Sequence, residues 1–147
     1  MSTATTDTNA KSPATTPRPA PRVTPETKAY WQAMHDGKLM LSECESCGKL
    51  SHPPQGICAF CWGGKQKPKF AAGRGTLNSF SVIRQTSDPS FKGRVPYVLA
   101  YVDLDEGVSL VSNVVHCDID KVKVGMKLKA VFEQTSGDTG VVLFEPA

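Results

Sequence analysis

The sequence predicts a mainly β chain, in which a short helix is followed by a small cysteine-bearing ribbon and then by a five-stranded barrel. Three observations lead to this prediction. Four cysteines form two closely spaced pairs, Cys44-x2-Cys47 and Cys58-x2-Cys61. Strand-like segments separated by turn residues fill the C-terminal half. The segment before the cysteines carries apolar residues at helical spacing.

Residues 1–22 are rich in Thr, Ala, Ser and Pro and contain almost no large apolar side chain. Ordering such a segment costs backbone entropy without compensating burial, so we predict a disordered tail. A transit peptide is the alternative interpretation. Only two arginines and no amphipathic pattern occur in the segment, which favours the simple tail.

A helix is predicted to begin at Thr24-Pro25, where threonine can cap free amides and proline suits the first helical position. Gly37 ends it, because glycine tolerates the backbone that terminates helices. Between these residues, Tyr30, Ala33 and Met34 recur at helical spacing. One face of the helix therefore needs to be covered, by the ribbon or by a partner.

The two cysteine pairs are predicted to hold one metal ion in a tetrahedral cage of four thiolates, Cys44, Cys47, Cys58 and Cys61. The ten residues between the pairs include glycines and prolines that allow a tight return. Four sulfurs suit structural Zn²⁺ or a single iron, and zinc is the commoner occupant. Two disulfides are the alternative, but no signal peptide precedes the cysteines. The pattern is that of a rubredoxin-like zinc ribbon whose metal has no open position for catalysis.

The ribbon's first strand is predicted over Lys38–Ser42 and its return over Lys49–Ser51. Phe60 and Trp62 flank the second pair, and we expect both to pack against the metal site, because a ribbon has little other core.

Five strands are predicted after Gly73-Arg74-Gly75, separated by Asp-Pro, Glu-Gly and Ser-Gly turn signals. In Met126–Glu133, apolar residues alternate with lysines, so one face meets a core. A five-stranded OB-fold barrel is the simplest closure, and an open sandwich of the same strands is the alternative. The strands are Thr76–Arg84, Tyr97–Leu104, Val108–Val115, Met126–Glu133 and Gly140–Phe144.

These assignments divide the chain into a tail over 1–22, a helix and zinc ribbon over 23–70, and an OB-fold domain over 71–147. The sequence has no run of 18 apolar residues, which argues against a membrane span, and no secretory signal, so we expect a cytoplasmic protein. The net charge is +3, of which +2 lies in residues 1–28. The nearly neutral remainder lacks the broad basic surface typical of nucleic-acid binding.

Taken together, several short motifs resemble the DUF35 family from about Pro25 to the end of the chain. They are Tyr30-Trp31, Gly37-Lys38-Leu39, the cysteine pairs with Gly48, Pro53-Pro54, Gly73-x-Gly75, Pro96-Tyr97 and Val124-Gly125-Met126. Any one of them is weak, and the combination is specific.

The resemblance implies a zinc ribbon joined to an OB-fold in a protein of acyl-CoA metabolism. Members of this family bind thiolase-like enzymes, acyl-CoA hydratases or aldolases, and the partner carries the catalytic residues. Some members lack the cysteines, which agrees with a structural metal. The resemblance therefore implies a non-catalytic subunit in a hetero-oligomer with a thiolase-like enzyme that helps to bind acyl-CoA. An aldolase or hydratase partner is the alternative.

The residues themselves provide no recognisable catalytic motif, neither G-x-S-x-G nor His-Glu-x-x-His. Cys117 follows His116, but adjacent residues on a strand point to opposite faces, which makes a nucleophile and base pair unfavourable. His35 and His52 are expected to be surface or structural residues.

If a CoA thioester is shared with the partner, basic residues must meet its phosphates and an apolar loop must meet its chain. The lysines of Lys65–Lys69 have a simpler interpretation as one solvated strand face. The predicted CoA-binding residues are Lys65, Lys67, Arg74, Arg84, Phe91, Lys92, Arg94 and Tyr97.

A single-stranded nucleic-acid-binding module is a further alternative, since ribbons and OB barrels both occur in such proteins. Phe80, Tyr97, Tyr101 and Phe132 would then stack on bases. The near-neutral charge disfavours it.

Overall fold

The computed structural model describes residues 16–147 and is mainly β, with one short α-helix, α1 (Lys28–His35), in this part of the chain. No helix among these residues is both long and apolar enough to cross a bilayer. Two single-turn 3₁₀ helices lie at Lys92–Arg94 and Ile119–Lys121. The strands are β1 (Met40–Cys44), β2 (Leu50–Ser51), β3 (Gln66–Phe70), β4 (Arg74–Ile83), β5 (Tyr97–Leu104), β6 (Ser109–Val114), β7 (Lys127–Gln134) and β8 (Gly140–Pro146).

The predicted tail over residues 1–22 lies for its first fifteen residues outside the described part of the chain. The described end of that segment contacts the barrel. Arg18 and Arg94 both pair with the Glu133 carboxylate at 3.2 Å. Arg94 also donates a hydrogen bond to the Thr16 carbonyl at 2.7 Å. These contacts hold residues 16–18 on the barrel. The prediction of a disordered tail rested on the lack of apolar side chains and did not take ion pairs into account.

Helix α1 begins later than predicted because residues 24–27 form a turn before it. The Thr27 N–H donates to the Thr24 carbonyl at 3.1 Å, and the two threonine hydroxyls lie 3.1 Å apart. The predicted end is correct. Gly37 has φ of +74°, and the Lys38 N–H closes the last turn on the Ala33 carbonyl at 2.8 Å.

The ribbon is a three-stranded antiparallel sheet in the order β2-β1-β3. Its first two strands were predicted to within two residues. The third, β3, pairs along the whole of β1, from Met40 opposite Phe70 to Cys44 opposite Gln66. In the sequence, this strand appears only in the alternative interpretation of Lys65–Lys69 as a solvated strand face. Lys67 and Lys69 are exposed on it.

The second sheet is a closed five-stranded barrel in the order β4-β5-β6-β8-β7, as predicted for an OB fold. Strand β4 pairs with β5 and, at its start, with β7, and a bulge between Leu77 and Ser79 bends it around the barrel. A single parallel pair, Val114 opposite Phe144, closes the barrel between β6 and β8. The closed barrel excludes the open sandwich.

The helix packs against β8 with very little space between the two backbones. A Cβ atom built on Gly140 would lie 2.6 Å from the Met34 carbonyl oxygen and 3.1 Å from the His35 nitrogen. Met34 itself is fully buried in the core. Gly140 is therefore required for α1 to reach the barrel.

We expect Gly140→Ala to destabilise the protein by about 1–3 kcal/mol, because the added methyl group must push the helix backbone away from β8. Gly93→Ala is the matched control, since nothing lies within 4 Å of a Cβ atom at that position. Thermal and urea unfolding of the two variants would measure the difference. Equal stabilities would show that the helix contact is not constrained by Gly140.

Candidate metal centre and basic cleft

Four cysteine sulfurs converge at the tip of the ribbon. The Cys44 and Cys61 sulfurs lie 3.6 Å apart, and those of Cys47 and Cys58 lie 3.7 Å apart. All four sulfurs are within 4.8 Å of one another. A tetrahedral zinc site with Zn–S bonds of about 2.3 Å requires sulfurs about 3.8 Å apart. The donor set and its dimensions therefore fit a Zn²⁺ ion.

Two similar turns build this cage, one around each pair of cysteines. In each, the residue after the second cysteine donates its N–H to the carbonyl of the first: Gly48 to Cys44 at 2.8 Å and Trp62 to Cys58 at 3.0 Å. Both residues have positive φ, +72° for Gly48 and +64° for Trp62. Glycine adopts this backbone freely, whereas tryptophan is strained there.

Backbone N–H groups point at the sulfurs and prepare them to bind a cation. The N–H groups of Cys47 and Ser46 lower the pKa of Cys44 to about 6. The Gly63 N–H lowers the pKa of Cys61, but hydrogen bonding with the Cys44 and Cys47 sulfurs outweighs it and raises that pKa to about 12. Without a cation, the four thiols therefore do not all ionise near neutral pH. Metal binding must displace protons.

The prediction that the aromatic residues beside the second cysteine pair pack on the metal site is wrong. Trp62 is 83% exposed and Phe60 is 55% exposed, and the Lys49 ammonium lies 4.7 Å from the Phe60 ring centre. The turn at Trp62 directs its side chain outward, because the sulfur cluster already fills the space inside the ribbon tip. Ile57 is 56% exposed. We call Ile57, Phe60 and Trp62 together the ribbon-tip patch.

A cleft of about 230 Å³ lies between the base of the ribbon and the barrel. We call it the basic cleft. Its walls include Leu39, Phe70 and Phe132, and its cations are Lys38, Arg74 and Lys129.

The eight predicted CoA-binding residues fall into two groups. Lys65 and Lys67 lie on the ribbon, where Lys67 pairs with Glu43 at 3.5 Å, and Arg74 begins β4 in the basic cleft. Arg84 follows the other end of β4, roughly 30 Å away along an extended strand of this length. One phosphate group cannot contact both ends.

The second group surrounds the 3₁₀ turn before β5. The Phe91 and Tyr97 rings are 5.8 Å apart, and the Arg18 guanidinium lies 5.8 Å from the Phe91 ring centre. Arg94 is paired with Glu133, whereas Lys92 is exposed. These contacts hold the loop on the barrel and leave Arg94 less available to a phosphate.

The sequence did not single out Lys38, Lys129 and Phe70 as part of a site. The alternation in Met126–Glu133 places Lys129 on the solvated face of a strand, and Lys38 begins the predicted first strand of the ribbon. No local signal connects them, because the contact of ribbon and barrel brings them together.

His52, His116 and Cys117 have structural partners, whereas His35 is exposed at the end of α1. The His52 ring bonds the Tyr30 hydroxyl at 2.8 Å, and His116 Nδ1 bonds Glu145 at 2.5 Å. Burial lowers the pKa of His52 and raises that of Tyr30 to about 12. Cys117 is buried and donates to the Asp118 carbonyl at 3.4 Å. Burial raises its pKa, which makes it a poor nucleophile.

The aromatic residues considered for base stacking do not share one surface. Phe80 and Tyr101 are 36% and 42% exposed on β4 and β5. Tyr97 packs on Phe91, and Phe132 packs against the core.

Comparisons with known proteins agree with this architecture. The rubredoxin-like zinc ribbon domain of ChsH2 matches residues 31–66, and the C-terminal OB-fold domain of ChsH2 matches residues 69–133. A DUF35 domain-containing scaffold protein of Methanothermobacter thermautotrophicus is 36% identical over 124 residues, which are 81% of this chain and 92% of that protein. The chain belongs to the DUF35 family.

Two further similar proteins carry functional names. A probable enoyl-CoA hydratase alpha subunit of Thermomonospora curvata is 32% identical over 130 residues, 88% of this chain but 40% of that protein. Our chain thus spans about two fifths of that subunit. A chain of the solved Ltp2-ChsH2(DUF35) aldolase is similar with a TM-score of 0.77 and 29% identity, over 86% of this chain and 98% of that one.

We expect Cys47→Ser to lose the metal ion, because three thiolates no longer complete the tetrahedron. Cys117→Ser is the matched control and should keep one ion per chain, since Cys117 lies outside the cluster. Elemental analysis after dialysis would measure the number of metal ions bound per chain in each variant. Acidification should release the ion from the parent protein, because protons compete with the metal for the four thiolates. Equal metal content in both variants would contradict the assignment.

Proposed function

We propose that this DUF35 protein is the non-catalytic, zinc-binding subunit of a thiolase-type complex that acts on acyl-CoA thioesters. The observation that carries the proposal is its similarity to almost the whole length of one chain of the Ltp2-ChsH2(DUF35) aldolase. In this assignment the catalytic residues belong to the partner.

The zinc ion would be structural. Cys44, Cys47, Cys58 and Cys61 would hold it, and their four thiolates leave no position for a reacting water. The ion would cross-link the two turns of the ribbon tip. The tip is small, since β2 has two residues and β3 is largely exposed, so it depends on such a link.

A non-catalytic role is supported by the state of the nucleophile and base candidates. Cys117 is buried with a raised pKa and bonds a backbone carbonyl. The rings of His52 and His116 bond Tyr30 and Glu145. None of these contacts prepares a nucleophile with its base.

The ribbon-tip patch is the surface that we propose for the catalytic partner. Trp62 occupies a strained backbone position and leaves most of its ring in water, a combination that adds nothing to the stability of the isolated chain. Exposed tryptophan is a frequent anchor residue in protein interfaces. Ile57 and Phe60 extend the apolar area around it.

The relatives' names suggest two reactions for the partner, aldolase and hydratase. We favour the aldolase, because that similarity covers nearly the entire subunit, whereas our chain covers a minor part of the hydratase alpha subunit. Binding of acyl-CoA would be shared between this chain and its partner.

Affinity purification of the tagged full-length protein from its native cells would test this assignment. The expected result is a thiolase-like chain at fixed stoichiometry, identified by mass spectrometry and native mass. A solitary protein, or one that carries nucleic acid, would overturn the proposal.

We expect Trp62→Ala to weaken the complex by about 2 kcal/mol or more, because truncation removes an interface anchor. Val124→Ala is the matched control, since Val124 is 64% exposed but lies outside the ribbon, in the turn before β7. Co-elution of each variant with the catalytic partner would measure the effect. Equal retention by both variants would exclude the ribbon-tip patch as the interface.

A further inference from the structure

The basic cleft contains a charge arrangement that the isolated chain does not stabilise. Arg74 on β4 and Lys129 on β7 are directly opposite each other in the antiparallel ladder. Like charges at such positions destabilise a sheet. The next pair on the same face, Thr76 and Lys127, has no such repulsion, because Lys127 donates a hydrogen bond to the Thr76 hydroxyl at 2.9 Å.

The counter-charges near the cleft leave it basic. Lys129 pairs with Glu145 at 3.2 Å on the side away from Arg74, since Glu145 lies on β8 opposite Lys129. Glu145 also bonds His116 and is thereby shared. Within residues 16–147, neither Arg74 nor Lys38 forms an ion pair. Glu106 also lies nearby and accepts from the Ala72 N–H at 2.7 Å, but it pairs with neither cation. Arg74 and Lys38 are thus left for an external anion.

The cleft also has an aromatic wall. Phe70 is 51% exposed, and the Lys38 ammonium lies 5.7 Å from the centre of its ring. A flat apolar ring beside unpaired cations suits a ligand that combines a planar group with phosphates. Gly73, also in the lining, allows the close approach of Ala130, because a Cβ atom there would lie 3.0 Å from the Ala130 Cβ.

The size of the cleft limits what it can hold. Sites that enclose a whole small molecule measure about 300–1,000 Å³. The 230 Å³ here would hold one end of a larger molecule and leave the rest to another surface.

We propose that the basic cleft binds the adenosine diphosphate end of coenzyme A. Arg74, Lys129 and Lys38 contact the phosphates, and Phe70 contacts the adenine. The pantetheine chain then leaves the cleft toward the catalytic partner. This inference rests on the proposed function for the choice of coenzyme A, and it assigns the phosphates to one of the two predicted groups of basic residues.

The test uses the full-length, metal-loaded protein and NMR titration with coenzyme A, ADP and pantetheine. Coenzyme A and ADP should both shift the amide signals of Phe70, Arg74 and Ala130, and coenzyme A should bind at least as tightly because it carries an additional 3′-phosphate. Added salt should weaken both. Pantetheine, which lacks phosphate, should not shift them. Coenzyme A binding without ADP binding would overturn the proposal, as would equal affinity for a single-stranded oligonucleotide at the same residues.

Substitutions locate the site. Arg74→Gln and Lys129→Gln should each reduce the affinity for ADP about tenfold, since each removes a charge-assisted hydrogen bond. Lys127→Gln is the matched control on the same strand and face, and it should bind like the parent protein. Loss of affinity in an Arg84→Gln, Lys92→Gln double variant instead would move the site to the other end of β4 and overturn the proposal.

The outcomes separate this inference from the proposed function. If the catalytic partner co-purifies but Arg74→Gln and Lys129→Gln bind ADP like the parent, only the cleft assignment fails. If no partner is found but ADP binding follows the predicted variants, the cleft stands and the subunit assignment fails.

Discussion

A single apolar core joins the helix, the base of the ribbon and the barrel, and the arrangement of the chain depends on it. Met34 of α1, Leu39 and Leu41 of the ribbon, and Leu77 and Phe144 of the barrel are each at most 1% exposed and belong to one cluster. Burying each such side chain stabilises the fold by about 1.5–3 kcal/mol. The ribbon base cannot move relative to the barrel without opening this core, and that restraint gives the basic cleft its shape.

The ribbon tip depends on a different interaction. Between Cys44 and β3 the chain buries little apolar surface, and Trp62, Phe60 and Ile57 are exposed. The four sulfurs are the main link between the two turns of the tip. Metal removal should therefore affect the ribbon-tip patch while the cleft, which rests on the shared core, keeps its walls. The two proposed contacts, with protein and with coenzyme A, thus have separate physical supports.

The overall charge of the chain conceals its local electrostatics. A net charge of +3 over 147 residues gives no reason to expect an anion site. Yet the register of β4 and β7 sets Arg74 against Lys129, and the ribbon adds Lys38 from the opposite wall. Arg18 and Arg94, by contrast, are both paired with Glu133. Within the described residues, Arg74 and Lys38 of the cleft have no carboxylate partner.

Much of the architecture follows from local sequence. Glycine at position 37 fixes the helix end, the alternation in Met126–Glu133 gives the buried face of β7, and the spacing of the cysteine pairs identifies the metal cage. These signals are local because backbone conformation, side-chain alternation and chelate spacing act over a few residues.

Only the tertiary structure determined the contacts between residues that are distant in the sequence. It turned Trp62 outward, because the sulfur cluster occupies the inside of the tip. It separated Arg74 from Arg84 by the length of β4, although both had been assigned to one ligand. It brought Lys38, Phe70 and Lys129 together through strand pairing and the shared core. Such contacts depend on long-range register, which is set by the packing of the whole chain rather than by any one segment.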